Sequence, residues 1–350
     1  MSSSEVVLVD VQRDVPAAVH RAMSLARWKE AIPAGADVCL KPNLCFDYLV
    51  PGFQTSPWVL DAVIETVRDH VGKLVVVEAD TSTTSADRGI RATGLLEVCR
   101  RRAIPFVNLS REPFVAVPVR NGLHFQDHIE LPEILTRSHL LTLPVLKTHC
   151  LTGMTGAIKN QYGCLPLNRY MYHPILDLVL PDLLSVLRPA FCLMDGTVGA
   201  EGDGPKQGEP RVADLLLAST DPVAMDAVAA HIMGLDLAVI EHIQASARQG
   251  LGVADLDQIA IVGRDISSLN LHFRPARKNL VAELDLGLRL PLIGPLIFNT
   301  PLIRVFRWGA QSSYLVWLAL KGRHYRTRIR EHSWYGRQWW PQSTPSSSSQ

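Results

Sequence analysis

The chain has 350 residues, 47% of them hydrophobic and 20% charged, with a formal net charge of +1. That balance excludes a disordered polyelectrolyte, and the length allows a core that needs neither disulfides nor a structural metal. The charge is unevenly spread: residues 271–340 hold twelve Lys/Arg against three Asp/Glu, a net of +9, and residues 1–270 carry a net of −8. Such asymmetry points to an acidic partner for the basic region, be it a membrane surface, a nucleic acid or the protein's own body.

In chain order, residues 1–10 lack the basic-then-apolar pattern of a secretory signal. Short apolar runs suited to buried parallel strands follow at residues 6–9, 36–40, 74–77, 140–145, 191–194, 215–218 and 259–262. Helical patterns lie between several of them, notably residues 57–71 and 221–233; the latter opens with Asp221 as cap and Pro222 at the first helical position. This alternation predicts an α/β fold over residues 1–270, a three-layer, mostly parallel sheet with helices on both faces. Residues 271–340 form a basic, Trp-rich C-terminal extension with apolar stretches at 290–303 and 308–320, each below the ~20 residues that span a bilayer. Residues 341–350, rich in Ser, read as a disordered tail. The six cysteines show no CxxC pair, so neither a zinc site nor an iron–sulfur cluster has its usual spacing. A reducing cytoplasm is the expected compartment.

Several predicted strands end in polar residues of catalytic type. Residues 36–40 lead into Lys41 and Asn43, 74–77 into Glu78 and Asp80, 140–145 into Lys147 and His149, and 191–194 into Asp195. Parallel strands carry their ligands at their carboxyl ends, so these side chains are expected to share one rim. Residues 147–164 (KTHCLTGMTGAIKNQYGC) follow a strand and open a helix. A flexible turn containing Thr152 and Thr155, a helix N-terminus with free N–H groups, Lys159 one helical turn on, and Asn160 suit a carboxylate or phosphate. The spacing is neither a Walker P-loop nor a Rossmann fingerprint. His149 is a candidate general acid/base or metal ligand, and a crowded lysine a candidate base or nucleophile. Cys150 and Cys164 read as packing residues. The loop after Asp195, with Glu201 and Asp203 among its glycines, is expected to line the site, and secondarily to hold a divalent metal through Asp195 and Glu201. His173 either enters the site or packs.

Residues 144–163 (PVLKTHCLTGMTGAIKNQYG), with KPN at 41–43, Asp80, His173, the Asp195–Gly196 pair, EGDGP at 201–205 and STDPVAMD at 219–226, resemble the DUF362 family over about residues 5–265. Members of that family often carry a ferredoxin-like four-iron cluster segment with a CxxCxxCxxxCP cysteine run. This chain has none, so the resemblance implies redox chemistry only through a separate partner or a bound cofactor. The expected function is an enzyme acting on a small anionic metabolite, with Lys147, Lys159 and the helix N-terminus binding the anion, His149 moving a proton and Asp195 serving as base or metal ligand. The alternatives are an oxidoreductase component served by an external iron–sulfur partner, and a peripheral binding or scaffold protein at the cytoplasmic face of a membrane, seated through residues 290–340. Nucleic acid is disfavoured, because no recognised binding module is present.

Overall fold

The computed structural model describes residues 4–277, 283, 287 and 300–339; residues 290–299 of the first C-terminal apolar stretch and the 341–350 tail lie outside the described residues. Twelve strands occur among the described residues: β1 Ser4–Asp10, β2 Val38–Pro42, β3 Leu74–Glu78, β4 Phe106–Asn108, β5 Phe114–Pro118, β6 His128–Pro132, β7 His139–Leu143, β8 Val145–His149, β9 Gly153–Met154, β10 Phe191–Glu201, β11 Glu209–Ser219 and β12 Ile259–Gly263. The large sheet runs β12-β1-β11-β10-β7-β2-β3-β4, with β8 beside the second half of β10 and β9 beside β8. Most pairings are parallel, while β11 lies antiparallel to both β1 and β10. β5 and β6 form a separate antiparallel pair.

The apolar runs are continuous because both faces of the sheet are covered. In β1, Val6 and Leu8 enter one core while Val7 and Val9 enter the other. In β10, Cys192 and Met194 divide from Phe191 and Leu193 in the same way. One face is covered by α1 (Val15–Leu25) and α2 (Pro57–Val67). The other is covered by α3 (Gly156–Asn160), α4 (Leu176–Val186) and α5 (Pro222–Met233). The predicted cap of α5 forms, with Asp221 accepting from the N–H groups of Val223 and Ala224. The predicted α/β architecture is therefore present.

The C-terminal helices α6 (Leu302–Trp317) and α7 (Arg323–His332) pack on this body. Trp317 joins Phe46, Val50, Phe53 and Ala200 in a third apolar cluster. Arg328 pairs with Glu209 at 2.5 Å. Tyr335 stacks on Trp58, ring centroids 5.4 Å apart, and its hydroxyl donates to Asp214. Among the described residues, no helix is long and apolar enough to cross a membrane.

Two details differ from the expected strand ends. The run at residues 140–145 is two strands, because Pro144 has no N–H to continue the ladder. β7 stops at Leu143, the chain shifts sideways, and β8 continues along β10, so Lys147 and His149 lie within a strand. β10 also runs past Met194 as far as Glu201, with an irregular register between Gly196 and Val198, and this carries Asp195 into the strand's interior.

A candidate anion chamber

A cavity of about 250 Å³ opens where β2, β3 and β8 end. Lys41, Glu78, Lys147, Lys159, Arg169 and Lys206 are the ionised side chains that line it, with His149 and His173 beside them. Five cations thus face one carboxylate. Tyr162, Tyr170 and Leu167 form apolar wall, and Ala310 and Tyr314 of α6 supply part of the roof. The helix predicted as part of an added extension is therefore a wall of the chamber.

Most of the cations are already held by the protein. Lys41 donates to Glu78 Oε1 at 2.5 Å, both side chains being buried. Lys147 directs its ammonium at Asn43 Oδ1 (2.6 Å), the Phe53 carbonyl (2.7 Å) and Cys45 Sγ (3.6 Å). Three acceptors match its three N–H bonds, and burial pulls its pKa below the usual lysine range. Asn43 is fixed in turn: its Nδ2 donates to Asn160 Oδ1 at 2.8 Å, and Asn160 Nδ2 donates to Thr142 Oγ1 at 2.8 Å. Arg169 is committed to the carbonyls of Leu165 and Asp80. Lys206 donates to Thr83 Oγ1 at 2.8 Å and lies over the rings of Phe46 and Tyr314.

Three donors on the β8–α3 segment remain. Lys159 is half-buried and makes neither hydrogen bond nor ion pair with a described residue; its ammonium lies 5.4 Å from the Tyr162 ring centroid. Burial, and after it the charge of Lys147, push its pKa down to about 8. The Thr155 hydroxyl is buried beneath the chamber wall, with no hydrogen-bond partner among the described residues. His149 accepts through Nδ1 from the backbone N–H groups of Leu151 (3.1 Å) and Thr152 (3.4 Å). That fixes its proton on Nε2, and burial followed by the charges of Lys159 and Lys147 holds its pKa well below the usual range. His149 is consequently a neutral N–H donor facing the chamber with no lone pair to offer, so neither the general-base role nor the metal-ligand role expected of it fits this geometry.

Other expectations are corrected too. The turn before α3 is an ordered hairpin: β9 pairs with β8, and Thr152 Oγ1 donates to the Met154 carbonyl, closing the turn away from the chamber. The first free N–H groups of α3 are occupied by a protein carboxylate. Asp226 of α5 accepts from Ala157 N at 2.6 Å and Ile158 N at 2.9 Å, although burial pushes its own pKa up to about 7. Gly156 makes this approach possible: it sits at φ +61°, and a Cβ there would come within 2.4 Å of the Asp226 carboxylate. The helix N-terminus is thus not the anion site. Asp80 lies behind the wall, accepting from Ala86 N and Asn108 Nδ2. Asp195 is fully buried and accepts from Ser56 N, Thr197 N and Thr197 Oγ1. Glu201 is paired with Arg211 and Arg274. Neither Asp195 nor Glu201 reaches the chamber, and the described residues hold no cluster of three or more potential metal ligands. Five cations around one carboxylate also repel a divalent ion.

Of the residues singled out in sequence, Lys41, Asn43, Lys147, His149, Thr155, Lys159, Asn160 and His173 meet at the chamber; Asp80, Thr152, Asp195 and Glu201 do not. Glu78 was expected at the rim but not among the ligand-binding or catalytic residues, and Arg169 and Lys206 were not singled out. Glu78 was legible as the last residue of its strand, next to Asp80. Lys206 directly follows the EGDGP motif, whereas Arg169 carries no local signal.

A family model described as "Domain of unknown function (DUF362)" matches residues 38–231, a span that contains the whole chamber lining except Ala310 and Tyr314. The chain is 30% identical over 237 residues to the Thylakoid-associated protein sll1697 of Synechocystis sp., an alignment covering 63% of this chain and 70% of that protein. The lactate racemase apoprotein from Thermoanaerobacterium thermosaccharolyticum is similar in structure with a TM-score of 0.42 and 13% identity, over 66% of this chain and 57% of that one.

Proposed function

The chain belongs to the DUF362 family, and we propose that its chamber binds a small carboxylate or phosphate ester and carries out acid/base chemistry on it through Lys159. Lys159 carries this reading, because it lines the chamber and has neither a hydrogen-bond nor an ion-pair partner among the described residues. The neighbouring Thr155 hydroxyl is buried without a partner among the described residues, at a cost of about 1–3 kcal/mol that a ligand oxygen would remove once the side chain turned towards the chamber. Lys159 supplies the matching charge, and His149 Nε2–H a second directional donor. Lys41, Lys147, Arg169 and Lys206, each tied to a protein acceptor, supply a positive field that needs no rearrangement when the anion arrives. An amine with a pKa of about 8 has both protonation states within reach near neutral pH, as proton transfer requires.

Thr155→Val tests the reading because it separates function from structure. Valine keeps the shape and removes the orphaned hydroxyl, so the folded protein should gain about 1 kcal/mol or lose nothing. Affinity for the anion should fall about tenfold. Calorimetric titration with inorganic phosphate, a phosphomonoester and a panel of two- to six-carbon carboxylates reads the second effect, and denaturant unfolding the first. A variant that is less stable and binds the panel as the parent does would remove the argument.

A further inference from the structure

α6 has two apolar faces, and among the described residues only one of them meets protein. Ala310, Tyr314 and Trp317, spaced at four and three residues, face the chamber roof and the third apolar cluster. At 100° per residue, Val305, Trp308, Leu315 and Val316 fall on the opposite side, with Leu302 and Leu320 at its edge, about a quarter turn from the chamber-facing residues. All six are exposed, Trp308 at 71% and Leu320 at 75%. A one-turn π segment, Leu318–Gly322, carries the helix on into α7 without a break. A contiguous apolar stripe left in water is a docking surface.

The charge around the stripe selects its occupant. Residues 300–339 contain eight Lys/Arg and a single acid, Glu331. Arg304, Lys321, Arg323, Arg326 and Arg330 are all exposed. A second copy docking through its own α6–α7 face would bring the same positive charge to the contact and be repelled. An anionic bilayer surface offers both what the stripe and its rim require: an acyl boundary for the apolar side chains and lipid phosphates for the arginines. Tryptophan at such a boundary keeps its indole N–H in the headgroup layer.

We propose that α6 and the start of α7 form an interfacial anchor that seats the protein on an anionic lipid surface, with the roof of the chamber directly behind the seated helix. The inference rests on the exposed stripe and its charge, not on the identity of the chamber's ligand, so the two readings fail separately. The test is co-sedimentation of the full chain with vesicles of phosphatidylglycerol and phosphatidylcholine in equal parts, against phosphatidylcholine alone. The expected result is binding to the mixed vesicles only, weakened by raised salt. Trp308→Ser with Leu320→Ser should lower the partition coefficient about a hundredfold, because each large apolar side chain contributes roughly a factor of ten or more. Both sites are solvent-exposed, and an unchanged melting temperature establishes that the variant is folded. Three results overturn the proposal: no binding to the anionic vesicles, equal binding by the parent and the double variant, or a dimer in solution that the double variant dissolves.

Discussion

Replacing Lys159 by Met removes the one ammonium in the chamber that has no acceptor among the described residues, while keeping its length. The pKa of Lys159 falls from 10.5 to about 8 in the folded protein, equivalent to roughly 3 kcal/mol against the charged form. The side chain is half-buried and faces an open cavity, so water screens part of this, leaving about 1–2 kcal/mol. Below pH 8 both the folded and the unfolded chain carry the proton, and the whole penalty applies. Between pH 8 and 10.5 the folded amine is neutral while the unfolded one remains charged, so stability rises with pH across that window. Lys159→Met should therefore be about 1–2 kcal/mol more stable than the parent at pH 7, and the difference should shrink towards zero near pH 10.5. Urea unfolding of both proteins at pH 7, 8, 9 and 10 measures it. A saturating anion should stabilise the parent and leave the variant nearly unchanged, because its main electrostatic partner is gone. A variant less stable than the parent at pH 7, or a difference that does not vary between pH 7 and 10, would refute the reasoning.

Two structural predictions concern the supports of the chamber. Lys41→Met strands Glu78 without its partner in a buried position and should cost about 3–5 kcal/mol, whereas Lys41→Met combined with Glu78→Leu should recover most of that loss; additive costs in denaturant unfolding would show that the pair is not coupled. Gly156→Ala combines a left-handed backbone with a Cβ at 2.4 Å from the Asp226 carboxylate and should cost about 3 kcal/mol or more. Gly153→Ala is its control, being also left-handed but meeting only the Ile240 side chain, at 3.2 Å. Thermal melts in which the two variants lose equally would contradict the tight approach of Asp226.

The architecture was legible because the strands are buried on both faces, which turns each into an unbroken apolar run whatever its neighbours. The same property concealed direction: β11 is as apolar at its end as β7, yet it runs antiparallel to β1 and β10. The site was legible where a residue's role follows from its own strand. Lys41 lies near the end of β2, and Lys147 lies in the short β8 whose end converges with it. Asp195 misled because Gly196, Thr197 and Val198 do not look like a continuing strand, so a residue of the interior read as a residue of the rim. Asp226 could not be read at all. It lies 69 residues from the amides it holds, and a carboxylate inside a helix gives no local sign of which other helix it caps.

That hidden contact decides what the chamber can recognise. With Asp226 on the α3 amides, the anion site moves off the helix N-terminus and onto side chains whose donors are left over: Lys159, Thr155 and the Nε2–H of His149. A helix N-terminus binds almost any anion through backbone N–H groups. Three side-chain donors of different kinds are more selective, since a ligand that fails to reach the hydroxyl leaves it buried and unpaired. The surrounding cations follow the same division. Those bound to Glu78, Asn43, Thr83 or main-chain carbonyls are held in place before any ligand arrives, so their field acts without cost of ordering. Burial disfavours the charge of Lys147 and Lys206 as well as that of Lys159, but Lys159 has no acceptor among the described residues to offset it, which makes its protonation the quantity most sensitive to whether an anion is present.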